Sequence, residues 1–138
     1  APRDEAAMIK NRQSRNPLEQ VRPVLTRQHL LNLQSLVAET YLSDSVIDYL
    51  VSLSAATRSS ELLSRGASPR ASLSMASMAK AIAQLRGRDY VVPGDVKEVF
   101  LPTLSHRVQL SSKAESQGKT AAQVLKSILD ATPAPRLR

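Results

Sequence analysis

The chain of 138 residues is sized for one domain with a self-sufficient core, and its apolar residues, aliphatic with one Phe, three Tyr and no Trp, suit helices packed on helices rather than a β fold. It has no cysteine, which excludes disulfides and any thiolate metal or nucleophile site. Its net charge of +7 invites nucleic acid as a partner, but the basic residues are spread singly apart from loose clusters at Lys10–Arg15 and Arg86/Arg88, and aromatics for base stacking are nearly absent.

Residues 3–14 read as a short polar helix with Ala6, Ala7 and Ile9 inside. Asn16-Pro17 ends it, because the residue before proline is pushed out of the α region. Residues 17–25 form an extended linker punctuated by Pro17 and Pro23. Thr26 is an N-cap, followed at helical spacing by Leu30, Leu33, Leu36 and Val37. Ser43 is a second cap, with Asp44 in the first turn where it suits the helix dipole. The spacing of Val46, Ile47, Leu50, Leu53 and Thr57 predicts a buried stripe on a helix running to about Arg58. Residues 59–67 follow as a polar loop with Gly66.

Ser68 caps the best-defined helix, and Pro69 sits at its first position, where a missing N–H costs nothing. Ala71, Met75, Met78, Ile82 and Leu85 recur at three- and four-residue steps and predict a packed stripe. The Met residues could also mark an adaptable groove, but they continue an Ile/Leu stripe and read as core. Gly87 stands where a left-handed glycine closes a helix. Residues 89–92 are a short extended piece. Pro93 opens a helix with Val96, Val99, Phe100 and Leu104, which Pro102 is expected to kink or interrupt. Val108 and Leu110 suggest a second extended piece, a candidate partner for residues 89–92. After a polar stretch, Thr120 caps a last helix with Val124, Leu125, Ile128 and Leu129. Pro133 and Pro135 end the ordered chain. The expected fold class is all-α, a small bundle whose main helices lie near 27–38, 44–58, 69–86 and 94–106, with at most one short two-stranded pair.

No apolar stretch approaches the ~20 residues of a membrane span, and Ala1-Pro2-Arg3-Asp4-Glu5 has no apolar signal-peptide core. A cytoplasmic protein is expected, and the start without Met suggests a piece of something longer.

Gly118-Lys119-Thr120 matches the end of a phosphate-binding loop, but G-x-x-x-x-G-K-[ST] requires a glycine where Lys113 stands, and no buried strand precedes it. It reads as a polar loop and helix cap. His29 and His106 lie far apart without acidic companions at ligand spacing, so no metal site is expected. No G-x-S-x-G elbow or carboxylate pair suggests hydrolytic chemistry. Asp89 and Asp95 are explained by a turn and a helix start. Arg70 is more pointed. At the second position of a capped helix, its cation sits beside the positive end of the dipole, a poor place unless an anion is present. Its planar fork suits phosphate oxygens, while the plain alternative is a surface arginine.

Four blocks carry a resemblance: Ala56-Thr57-Arg58, Gly66-Ala67-Ser68-Pro69-Arg70-Ala71-Ser72, Arg86-Gly87-Arg88-Asp89-Tyr90-Val91-Val92-Pro93-Gly94-Asp95-Val96, and Leu104-Ser105-His106-Arg107-Val108. In order and spacing they resemble the C-terminal part of MoxR-type AAA+ ATPases, from about Asn16 to Pro135. Gly94 departs from the acidic or small polar residue usual there. The resemblance implies a helical lid at 16–135, a short helix at 1–15 that follows an absent α/β ATPase core, and a tail at 136–138. It implies that Arg70 is the sensor 2 arginine that reaches the γ-phosphate of ATP, with Ser68 and Pro69 beside it at the nucleotide. The Walker motifs, sensor 1 and the arginine finger belong to the α/β domain and are not in this chain. The implied setting is an ATP- and Mg²⁺-dependent chaperone or maturation factor. Its lid contacts the upstream core and neighbouring ring subunits, and von Willebrand A domain proteins are possible partners. The isolated chain is expected to be inactive. The competing readings are a free-standing helical adaptor and a basic nucleic-acid-binding domain.

Overall fold

A computed structural model of the chain describes residues 1–12 and 16–136. The expectations for residues 13–15 of the N-terminal helix and for Leu137-Arg138 of the tail lie outside the described residues. The chain divides into two compact units, Ala1–Asn32 and Leu33–Arg138.

The first unit holds α1 (Pro2–Arg12), a single 3₁₀ turn (Pro17–Gln20) and the start of α2 (Arg27–Glu39). Thr26 caps α2 as its sequence suggests, its Oγ1 accepting from the His29 N–H at 3.1 Å. The aliphatic stripe of α2 is not buried: Leu30, Leu33 and Leu36 are about half exposed, and the helix buries no residue. Periodicity establishes that a helix is two-faced but does not supply the surface that covers the apolar face.

The second unit carries the core. It comprises the end of α2, then α3 (Asp44–Ser59), β1 (Leu63–Arg65), α4 (Pro69–Leu85), α5 (Pro93–Leu104), β2 (Gln109–Leu110), α6 (Ser112–Ser116) and α7 (Ala121–Ala131). Val46, Leu50 and Leu53 of α3 meet Met75 of α4, Val96, Phe100 and Leu104 of α5, and Leu125 of α7 in one buried cluster. The architecture is the expected helical bundle with one short strand pair. Within it, the buried face of α4 is rotated from the expected one. Ala71, Met75, Ala79 and Ala83 are buried, whereas Met78 and Leu85 are exposed and Ile82 is half-buried. Large side chains drew the stripe too far round the helix, because three of the four buried positions are alanine. Ile47 of α3 is likewise exposed.

Caps set the helix ends. Gly87, at φ +69°, closes α4 in a Schellman turn: its N–H bonds the Gln84 carbonyl at 2.9 Å and the Arg88 N–H bonds that of Ala83 at 3.0 Å. Thr120 and Gln123 form a capping box on α7. Helix α5 runs through Pro102, which stands two residues from its end. The strand pairing differs from expectation. β2 pairs antiparallel with β1, Leu63 opposite Leu110, rather than with residues 89–92. Those residues are engaged elsewhere: the Tyr41 N–H bonds the Asp89 carbonyl at 2.8 Å, and the Val91 N–H bonds the Tyr41 carbonyl at 3.0 Å. Among the described residues, no helix is long and apolar enough to cross a membrane.

Candidate functional site

The loop that delivers Arg70 is fixed from below. Thr57 is fully buried near the end of α3. Its Oγ1 donates to the Ser54 carbonyl at 2.7 Å and accepts from the Ala67 N–H at 2.8 Å. The guanidinium of the neighbouring Arg58 donates to the Ala67 carbonyl at 2.9 Å. Both backbone polar groups of Ala67 are thus held by adjacent residues of one helix. Gly66 permits this approach, since a Cβ there would lie 2.6 Å from Thr57 and Arg58 backbone atoms. The hydroxyl of Ser72 donates to that of Ser54 at 2.8 Å and pins the first turn of α4 to α3.

From that anchor, Ser68 caps α4, its Oγ accepting from the Ala71 N–H at 3.3 Å, and Pro69 takes the first position. Arg70 follows, exposed. Among the described residues its guanidinium makes no hydrogen bond or ion pair. A cation therefore stands at the positive end of a helix of 17 residues with no carboxylate to offset it.

Arg70 opens onto a groove of about 730 Å³ between α4 and α5, which Ser74, Met78, Ile82, Val99, Pro102, His106 and Arg107 also line. Arg70 shares this groove with Met78 and Ile82, whereas Met75 lies in the core. Arg70, Ser74 and Met78 fall at four-residue steps on one face, so Met78 does line a groove. At its mouth Arg107 donates to the Ser74 Oγ at 2.8 Å and to the His106 Nε2 at 3.1 Å.

A second polar centre, not expected from the sequence, lies beyond the other end of α4. Asp95 is fully buried at the start of α5. Arg88 donates to its two oxygens at 2.9 and 2.7 Å, Arg86 donates at 3.1 Å, and the Val92 N–H donates at 2.9 Å. Burial alone would raise the carboxyl's pKa; the Arg88 and Val92 hydrogen bonds and the two guanidinium charges outweigh it and hold the group below the usual aspartate value. The signal was legible in principle: two arginines flanking a helix-closing glycine, with an aspartate in the first turn of the next helix. Lys119 is exposed on the turn before α7 and joins neither centre, and His29 is exposed on α2.

Comparison with known proteins places this arrangement. The AAA lid domain family matches residues 55–128, which include the Arg58 clamp, the Arg70 loop and the Asp95 centre. The protein YeaC of Bacillus subtilis is 30% identical over 96% of this chain and 41% of its own length. The chaperone MoxR1 of Mycobacterium tuberculosis is 35% identical over 86% of this chain and 34% of its own. A solved structure from Cytophaga hutchinsonii, assigned as an ATPase, superposes with a TM-score of 0.80 at 28% identity, covering 99% of this chain and 44% of that one. The chain therefore spans less than half the length of the relatives it matches. It belongs to the AAA lid domain family, as a lid of the MoxR-type AAA+ ATPases.

Proposed function

We propose that the chain works as the nucleotide-responsive lid of a cytoplasmic MoxR-type ATPase, with Arg70 as its sensor 2 arginine. The observation that carries this reading is the pairing of an anchored loop with an unpaired cation. Thr57, Arg58 and Gly66 fix the backbone at Ala67, three residues before a guanidinium that has no partner among the described residues. Ser68 and Pro69 set the helix start, so the backbone position of Arg70 is decided before any ligand arrives. ATP, as substrate, supplies a γ-phosphate whose oxygens suit the planar fork of Arg70. The contact joins two rigid bodies and weakens when that phosphate leaves, so a local electrostatic event becomes a domain motion. The phosphate loop and the Mg²⁺ ligands are assigned to the upstream core. Contacts with neighbouring ring subunits and with von Willebrand A domain proteins, in the service of a chaperone or maturation activity, belong to the same proposal.

The test is ATP hydrolysis and thermal melting of the full-length protein carrying Arg70→Ala or Arg70→Lys. A lost arginine contact to a transferring phosphate can cost on the order of 10³ in rate, and a sensing contact less. Turnover should fall in both variants while melting stays near wild type. Wild-type turnover in both ends the assignment. The isolated chain should hydrolyse no ATP above its own Arg70→Ala control.

A further inference from the structure

The end of α5 touches the first turn of α4 through one polar chain. Leu104, fully buried, fixes the last turn of α5 in the core. The Arg107 N–H bonds the Leu104 carbonyl at 2.8 Å, so the backbone at Arg107 is fixed to that turn. Its guanidinium donates through one terminal nitrogen to the Ser74 Oγ at 2.8 Å, and through Nε to the His106 Nε2 at 3.1 Å. Two of its donors in different directions are thereby used, which fixes the plane of the fork. The Ser74 hydroxyl in turn donates to the Arg70 carbonyl at 3.1 Å. Arg107, like Arg70, has no carboxylate partner among the described residues, so ion pairing does not account for its orientation.

We propose that Arg107 is a positioning residue for Arg70: through Ser74 it holds the first turn of α4 against the end of α5, and so sets where the Arg70 guanidinium stands. The proposal rests on the sensor reading of Arg70. The Thr57–Arg58 clamp fixes the loop on the α3 side. Arg107 and Ser74 fix the same helix start on the α5 side. Losing the α5-side contact should displace the arginine without unfolding the bundle, because Ser74 and Arg107 contribute no side chain to the buried core.

The experiment measures kcat and KM for ATP, together with melting, on the full-length ATPase as wild type, Arg70→Ala, Arg107→Ala, Ser74→Ala and Arg70→Ala/Arg107→Ala. Arg107→Ala should lower kcat about tenfold, below the ~10²-fold that a 1 Å misplacement can cost. Its melting temperature should stay within about 2 °C of wild type, as for a surface substitution. Ser74→Ala should shift kcat in the same direction, and it carries the test if Arg107→Ala does not fold. In the Arg70→Ala background, Arg107→Ala should cause no further loss. An undiminished loss in that background would mean that Arg107 acts independently of Arg70 and would overturn the proposal. Wild-type kcat in Arg107→Ala and Ser74→Ala, with Arg70→Ala impaired, overturns it and leaves the sensor reading standing. Wild-type kcat in Arg70→Ala removes both.

Discussion

Replacing Asp95 by Asn keeps the size and shape of a fully buried side chain and removes its charge. The carboxylate accepts four hydrogen bonds, three of them from Arg86 and Arg88. An amide offers one oxygen and turns its NH₂ donors toward a guanidinium, so the two-point contact of Arg88 cannot survive. Breaking a buried ion pair by removing one partner costs about 3–5 kcal/mol. The lower end applies here, because the Arg86 side chain is 49% exposed and can return to water. At about 3 kcal/mol the melting temperature should fall by roughly 10 °C. The pH dependence fixes the sign. The folded-state pKa of Asp95 lies below its unfolded value, so its stabilisation is fully present above about pH 4 and is lost as pH falls through the folded value. The Asn variant has no such contribution, and the two stabilities should converge below about pH 4. Urea unfolding of both proteins between pH 7 and pH 3 measures this. A stability difference under about 0.5 kcal/mol at pH 7, or one that stays constant down to pH 3, would refute the reasoning.

Two glycines separate crowding from backbone strain. Gly66→Ala drives a Cβ against Thr57 and Arg58 backbone, and should cost roughly 3 kcal/mol, at the upper end for overpacking, and lower turnover of the full-length ATPase. Gly87→Ala meets open space but keeps φ at +69°; it should cost about 1–2 kcal/mol and leave turnover unchanged, both readable by chemical denaturation and an ATPase assay. Lys119→Ala should leave nucleotide binding by the full-length protein unchanged, because Gly118-Lys119-Thr120 forms a turn and a cap. Loss of binding in a folded Lys119→Ala protein would restore the phosphate-loop reading.

The helix starts and stops were legible because they are written in local chemistry: Thr26, Ser68-Pro69, Gly87, Pro93 and Thr120 each act within one turn of their own position. What the sequence left hidden is non-local. The spacing of Leu30, Leu33 and Leu36 describes an amphipathic face but not what covers it. The partner of β2 is not legible locally because extended pairing is decided by residues some forty-five positions apart, here Ser64 with Gln109 and Leu110. Arg70 was found by its odd placement at a helix start, and the resemblance gave that oddity a role. The Asp95 centre is hidden because a helix-start aspartate has a sufficient local explanation, and Arg86 and Arg88 show in the sequence only as a loose basic cluster. The groove is hard to read from the sequence because Met78 continues the stripe of Met75: three positions turn a helix by 300°, so Met78 lies only about 60° round from Met75, just past the edge of the buried face.

Helix α4 is held in the bundle by Ala71, Met75, Ala79 and Ala83, and three of those four side chains have no χ angle to change. Alanine surrenders no rotamer entropy when buried, and it offers no second rotamer through which a helix could shift against its neighbours. Helix packings that alternate between two states need side chains that can re-seat in new holes. A seam of methyl groups with one methionine has few such alternatives. A force applied at Arg70 should therefore be carried along the 17-residue span of α4 with little loss in side-chain rearrangement. It should reach the Arg88–Asp95 centre at the far end as displacement of a stiff lever.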